Sequence, residues 1–339
     1  MKMPTHRAVH VASAGEKLTL VDVETRSPDP GQVRIAVSAC GICGTDHGFV
    51  NGGFPGTTWP LTPGHEIAGT IAELGAGVAG FGLGDRVAVG WFGGHCNRCV
   101  PCRQGIFIHC ENLQVPSWQY PGGYAESVTV PANALARIPD ELSFADAAPM
   151  ACAGVTTFDA LRKTRALPGD RVAVLGVGGL GHLGIQFARA MGFETIAIAR
   201  GTGKRDDALA LGAHHYVDST AGDVGDSLRE LGGVSVVLAT AANSAAMAAT
   251  VGGLLPRGEL VIIGAATDPL PISPLQLIMP GYSVTGHPAG TARDVEEAMR
   301  FAVLAGVRAR IEERPLSDAA QAYTDADEGR ARYRMVLTM

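Results

Sequence analysis

The sequence predicts an α/β protein in two parts: an antiparallel, barrel-like β body and a doubly wound parallel sheet. Three observations predict it. Up to about residue 150, short β-branched runs are cut by Gly and Pro. Beyond that point apolar strands alternate with segments of helical period. A Gly-x-Gly-x-x-Gly stands between one such strand and the helix after it. The 339 residues suffice for two domains, each with its own core.

The runs HRAVHV, KLTLVDV, QVRIAVSA, EIAGTIAEL, GLGDRVAVG and YAESVTVP supply the strands of the first part. The character changes at DAAPMACAGVTTFDALRKTRALPGD, where apolar residues recur at helical spacing until Pro168-Gly169 breaks the pattern. Strand RVAVLG, helix GHLGIQFARAMG, strand TIAIAR, helix DALALG and strand HHYVD follow in order. After them come SVVLAT, the helix-like NSAAMAATVGGL and GELVIIGA. This alternation implies parallel βαβ units over residues 151–289. TARDVEEAMRFAVLAG then reads as a helix and YRMVLTM as a closing strand.

Composition excludes several classes of function. Hydrophobic residues make up 46% and charged residues 18%, a globular balance without a disorder signature. The net charge of −6 gives no footprint for nucleic acid or an anionic membrane. The start lacks the apolar run of a signal peptide, and no stretch reaches 18 uninterrupted apolar residues. A cytoplasmic protein is the expectation. In such a compartment seven cysteines read as thiolates or metal ligands rather than disulfides.

In VLGVGGLGHLG, the glycines Gly176, Gly178 and Gly181 follow an apolar strand and open a helix. They let the backbone approach a pyrophosphate, whose charge meets free N–H groups at the helix N-terminus. This is the fingerprint of a Rossmann-type sheet. Gly179, Leu180 and Gly264 join them as candidate cofactor residues, and His182 is expected on the helix surface. An NAD-binding strand would end in a carboxylate for the ribose 2′-OH. Here the strand ends in Ala199-Arg200, with Lys204 and Arg205 close behind. A guanidinium suits a 2′-phosphate, so the charge pattern favours NADP over NAD.

Cys96, Cys99, Cys102 and Cys110 are spaced by two, two and seven residues. Four thiolates can close a tetrahedral shell around a structural zinc; iron–sulfur ligation is the rival, which spacing alone does not exclude. His65, beside Glu66 in TPGHEIAG, and Cys152 would join one cysteine of CGICGTDHG in a two-cysteine, one-histidine catalytic zinc site with one open position. Spacing alone does not choose between Cys40 and Cys43.

Together CGICGTD, PGHEIAG, GDRVAVGW, the four-cysteine lobe, CAGVTTFDAL and VLGVGGLGHLGIQFARAMG resemble, in order, the zinc-dependent alcohol dehydrogenases of the medium-chain dehydrogenase/reductase superfamily. The resemblance spans nearly the whole chain. It implies a GroES-like β-barrel catalytic domain over 1–150 plus 290–339 and a Rossmann-type domain over 151–289. It assigns the catalytic zinc to Cys43, His65 and Cys152, leaving Cys40 a buried bystander. Glu66 is then the glutamate that can approach the metal, Thr45 the hydroxyl that bonds the substrate oxygen, and Asp46 the carboxylate that orients His65. Cys96, Cys99, Cys102 and Cys110 match the structural zinc lobe, and Thr156 a nicotinamide contact.

Three departures stand out. Gly44 replaces a basic or histidine residue, and Gly48 replaces the usual relay histidine, so His47, the cofactor ribose or water must end the proton path. Ala292 lacks the phosphate-binding guanidinium, with Arg293 adjacent. Trp91 and Trp118 are the candidates for lining the substrate pocket, where large aromatics favour a flat or narrow molecule. The implied activity is reversible oxidation of a primary or secondary alcohol to the aldehyde or ketone, with hydride transfer to NADP or alternatively NAD, by a homodimer or homotetramer. NAD-dependent polyol or secondary-alcohol oxidation, and a non-catalytic zinc and nucleotide sensor, are the rivals. The set Cys43, Thr45, His65 and Cys152 argues against the sensor, which needs no hydroxyl relay.

Overall fold

The computed structural model describes residues 4–339. The chain clusters into two compact units. The first runs to Val155 and adds Ala289–Val303 and Arg308–Met339; the second is Thr156–Pro288 with Leu304–Val307. The sequence placed the first boundary at 150. The segment that carries Cys152 instead belongs with the first unit, whose strands it packs against.

The first unit is built on strand β3 (Gln32–Ile42), preceded by the hairpin β1 (Thr5–His10) and β2 (Thr19–Glu24). Strands β4 (Glu66–Leu74), β5 (Arg86–Val89), β6 (Ser127–Pro131) and β7 (Ala136–Arg137) follow. Alternate residues Val33, Ile35 and Val37 of β3 are buried, as a period of two requires, and pack with Ile67, Ile71 and Val128. Burying each such side chain contributes roughly 1.5–3 kcal/mol. β3 pairs antiparallel with both β4 and β6, so it is the spine of the sheet.

The second unit carries a parallel six-stranded sheet among the described residues. Its strands are β8 (Arg171–Leu175), β9 (Glu194–Ala199), β10 (His215–Asp218), β11 (Val234–Ala239), β12 (Leu254–Ile262) and β13 (Ser283–Gly286). The order is β10-β9-β8-β11-β12-β13, so the strand order reverses at β8/β11, where such sheets bind ligands. Ala173, Ile196, Val237 and Leu260 are fully buried, the continuous apolar pattern of a sheet covered on both faces.

The tail returns to the first unit as β14 (Ile311–Pro315) and β15 (Arg334–Thr338). β15 pairs antiparallel with β3, whereas β14 and β15 run parallel, a departure from the all-antiparallel body the sequence suggests. A parallel pair needs a crossover, and the helix Ala319–Asp327 supplies it. No helix among the described residues is long and apolar enough to cross a membrane.

Candidate active site

Cys43 ends the extended run of β3 and is the N-cap of the helix Gly44–Val50. Asp46, three residues on, turns back to accept the Cys43 N–H at 2.9 Å, which closes the first turn. That fold-back buries the carboxylate completely. His65 and Glu66 lie at the start of β4, also fully buried. Cys152 comes from an unexpected place. The helical run the sequence predicts is an α-helix Phe144–Pro149, a π-helical segment Met150–Gly154 and an α-helix Val155–Arg162. Pro149 has no N–H to extend the first helix, and the π turn that follows carries Cys152.

The side chains of Cys43, His65, Glu66 and Cys152 offer ligand atoms that all lie within 4.8 Å of one another. His65 Nε2 and Glu66 Oε2 are buried without a hydrogen-bond partner. Two thiols, an imidazole nitrogen with an unused lone pair and a carboxylate suit a tetrahedral zinc. His65 Nδ1 meets Asp46 Oδ1 at 2.8 Å, which fixes the tautomer that leaves Nε2 for a metal. Burial pushes the His65 pKa down, but the charges of Asp46 and Cys43 win and hold it well above the ordinary value. Cys43 accepts a hydrogen bond from the Cys152 thiol, which drives the Cys43 pKa well down and that of Cys152 well up. Two thiols this close to each other are donors that a divalent cation would deprotonate on binding.

Glu66 is raised to about 7, by burial first, with Arg334 pulling it back. Arg334, on β15, donates to Glu66 Oε1. Tyr124 donates its phenolic O–H to Asp46 Oδ2 at 2.9 Å. Neither residue is visible in a motif of the sequence, since each reaches its partner from 78 or 268 residues away. Thr45 Oγ1 lies 3.7 Å from Cys43 Sγ. Cys40 is buried in the core with its thiol against the Gly41 carbonyl, outside the cluster. His47 is half exposed, on the next face of the helix, and its Nδ1 sits 2.9 Å from Asp327 and 3.3 Å from the Tyr323 hydroxyl. A side chain at Gly48 has no room: its Cβ would stand 2.7 Å from Cε2 of Phe54.

Trp91 presents an edge contact to His65 at 5.8 Å between centroids. Phe49 and Phe54 stack at 4.3 Å, and Trp118 lies 5.2 Å from Phe54. The two tryptophans therefore belong to one aromatic wall beside the histidine, together with two phenylalanines that the sequence did not single out.

Cys96, Cys99, Cys102 and Cys110 also gather their sulfurs within 4.8 Å. Cys110 Sγ lies 3.6 Å from Cys96 Sγ and 3.8 Å from Cys99 Sγ. A tetrahedron with metal–sulfur bonds of about 2.3 Å has edges of about 3.8 Å, so the lobe fits one ion. The N–H groups of Arg98 and Cys99 pull the Cys96 thiol down to about 6.

In the second unit, Gly176 leaves β8 with φ +98°, and Gly178, Gly179 and Leu180 lead into the helix Gly181–Ala190. A Cβ at Gly181 would collide with the Gly176 carbonyl, so only glycine allows this tight entry. Leu180 offers no side-chain cap, and the His182 N–H bonds to the Gly178 carbonyl at 3.0 Å. His182 is fully buried, with Nδ1 3.0 Å from the Gly178 carbonyl, which corrects the surface position expected for it. Lys204 Nζ donates to the Val177 carbonyl at 2.8 Å. Arg200 and Arg205 are exposed. Thr156 is buried, and the Gly264 N–H closes on the Ala239 carbonyl. Arg293 pairs with Glu297 at 3.0 Å in the first unit.

A thiol–imidazole metal pocket and a glycine loop on a parallel sheet define a zinc- and nicotinamide-dependent oxidoreductase. The alcohol dehydrogenase GroES-like domain family matches residues 29–140, and the zinc-binding dehydrogenase family residues 179–303. The alcohol dehydrogenase notN of Aspergillus sp. (strain MF297-2) is 37% identical over all of both chains. The structure of CAD from Helicobacter pylori complexed with NADP(H) is 26% identical, with a TM-score of 0.86 over 100% of this chain and 99% of the other. Acetophenone reductase from Geotrichum candidum NBRC 4597, in complex with NAD, is 26% identical with a TM-score of 0.88 over the same shares. The chain belongs to the zinc-dependent alcohol dehydrogenases of the medium-chain dehydrogenase/reductase superfamily.

Proposed function

We propose that the protein reversibly oxidises a primary or secondary alcohol to the aldehyde or ketone with NADP as the acceptor. The observation that carries the chemistry is the buried cluster Cys43, His65, Glu66 and Cys152, with Nε2 of His65 unpartnered. Zinc held there supplies Lewis acidity, which makes a substrate hydroxyl easier to deprotonate. Asp46 holds His65 in the ligating tautomer. Thr45, two residues from the Cys43 ligand, takes the hydroxyl proton at Oγ1, and Glu66, tethered by Arg334, stands ready to exchange with the fourth ligand. A second zinc belongs to the four-cysteine lobe, where it is structural.

The NADP preference rests on three cations beside the glycine loop. Lys204 is tied to Val177 of that loop, while Arg200, just past the end of β9, and Arg205, first residue of the helix Arg205–Ala210, are exposed. Gly176, Gly178, Gly179, Leu180, Gly181 and Gly264 would frame the pyrophosphate and Thr156 the nicotinamide. Trp91 and Trp118 line the substrate side, backed by the buried Phe49, and favour a flat substrate. His47 cannot take its proton straight from Thr45, because residues two apart do not share a helix face. Its place beside Asp327 makes it a route to solvent reached through the ribose or water.

We also infer a homodimer. Strand β13 is an edge of its sheet, no charged residue occurs from 269 to 292, and Leu275, Ile278 and Met279 are 66–78% exposed in the same stretch. Seven cysteines in no disulfide suit a reducing cytoplasm. The deciding experiment follows absorbance of the reduced nicotinamide with both cofactors and a panel of primary and secondary alcohols and their carbonyl partners. Turnover that is faster with NADP(H) is expected. No turnover of any member would overturn the activity, and preference for NAD(H) would overturn the cofactor.

A further inference from the structure

We propose that Tyr124 is a positioning residue for the metal site, whose phenol sets how strongly Asp46 draws on His65. The inference rests on the reading that Cys43, His65 and Cys152 hold zinc. Asp46 has three partners in a fully buried setting. Oδ1 faces His65 Nδ1 at 2.8 Å, while Oδ2 accepts both the Cys43 N–H and the Tyr124 O–H at 2.9 Å. Tyr124 is itself fully buried. Burial, then the Asp46 charge, holds its pKa well above the ordinary value, so it is a neutral donor.

The backbone is shaped to admit this ring. Gly64, directly before His65, has φ +104°, and a Cβ there would collide with the tyrosine ring. The Tyr124 N–H bonds to the Pro63 carbonyl at 2.9 Å, and its own carbonyl accepts from the Val9 N–H at 2.8 Å. The loop that delivers the histidine ligand is therefore also the loop that seats the phenol.

A carboxylate shared among donors is a weaker acceptor for each of them. The phenol on Oδ2 draws charge from Oδ1, so Asp46 pulls less on the His65 ring proton. A carboxylate that pulls harder raises the basicity of a ligating imidazole. Tyr124 thus holds His65 at a moderate donor strength. A phenol that only filled space would act the other way, since its loss would slacken the site and release the metal faster.

The two roles predict opposite signs. Zinc-loaded enzyme is mixed with excess chromophoric chelator, and the phase of zinc transfer that disappears in Cys43→Ala is followed. Tyr124→Phe is expected to slow that phase about tenfold, the size, though with the opposite sign, of the smallest losses that follow removal of an outer partner. Placing 3-fluorotyrosine, a stronger donor, at position 124 is expected to speed it, with the melting temperature unchanged. Faster loss in Tyr124→Phe, or no change in either protein, would overturn the proposal. Should Tyr124→Phe fail to fold, the fluorotyrosine protein decides alone, and no acceleration there overturns it. If wild-type enzyme shows no Cys43-dependent phase, the metal assignment beneath the proposal falls instead.

Discussion

A carboxylate with no exposed surface beside two thiols needs a cation, and Arg334 supplies one from the last strand. Removing one partner of such a pair strands the other, at a cost of about 3–5 kcal/mol. Arg334→Leu is therefore expected to lower the unfolding free energy by about that amount in urea titrations. Glu66→Gln combined with Arg334→Leu should lose markedly less than the two single changes added together. Strict additivity, within about 0.5 kcal/mol, would show that the pair is not coupled. Arg200 lies on the cofactor side of the same residue scale. A charge-assisted bond is worth about 1.5–3 kcal/mol, so Arg200→Glu should raise the KM for NADPH about ten- to a hundredfold and leave that for NADH nearly unchanged. Equal effects on both cofactors would remove the assignment of a 2′-phosphate contact.

At the scale of elements, the run from Ser143 to Lys163 does more than a plain helix would. The Ser143 side chain caps its start, and the π turn carries Cys152. In the second unit Asp159 is 1% exposed and gathers Arg162 at 2.8 Å, Lys163 at 2.6 Å and His287 at 3.3 Å. Burial alone would raise the Asp159 pKa, but His287 and the two cations hold it well below the usual carboxylate range. The folded value lies under the unfolded one of about 3.9, so the stabilisation is complete above that pH and is lost as pH falls through the depressed value. Asp159→Asn should cost about 1–2 kcal/mol at pH 7, discounted because Lys163 is more than half exposed. The gap to wild type should close on acidification below about pH 4 in a pH series of denaturation midpoints. A gap that stays constant into strong acid would contradict an ionised Asp159.

The same stretch shows what sequence carries. Its helical period was legible because side chains i, i+3 and i+4 share a face, while the π turn was not, since Met150–Gly154 is small or apolar at every position and shows no register to shift. His65 and Cys152 were legible as candidate metal ligands because each stands in a motif, while the choice of Cys43 over Cys40 came only from the resemblance; the structure gathers Cys43, not Cys40, beside them. Arg334 was not legible, because its place beside Glu66 is fixed only by the pairing of β3 with β4 and β15; nor was Tyr124, which is seated by backbone bonds to Pro63 and Val9 far away in the chain. His182 misled for a related reason: helical position alone does not tell which face a sheet will cover.

On the scale of the whole molecule, the open question is how the exposed edge of the parallel sheet is covered. Edge strands are usually guarded by charge, proline or a bulge. β13 has neither charge nor proline, and the stretch before it leaves Leu275, Ile278 and Met279 exposed. A two-fold axis beside such a strand pairs it antiparallel with its own copy, and so satisfies both edges at once. The apolar side chains next to it would then lose water together, at roughly 25 cal/mol for each Å² buried. If the proposed dimer forms there, Ile278→Glu with Met279→Lys is expected to shift it towards monomer in sedimentation equilibrium at micromolar concentration. Val284→Pro, which removes a backbone donor from the edge strand, should do the same while leaving the dinucleotide loop in place. A dimer that survives both sets of changes would place the interface elsewhere on the chain.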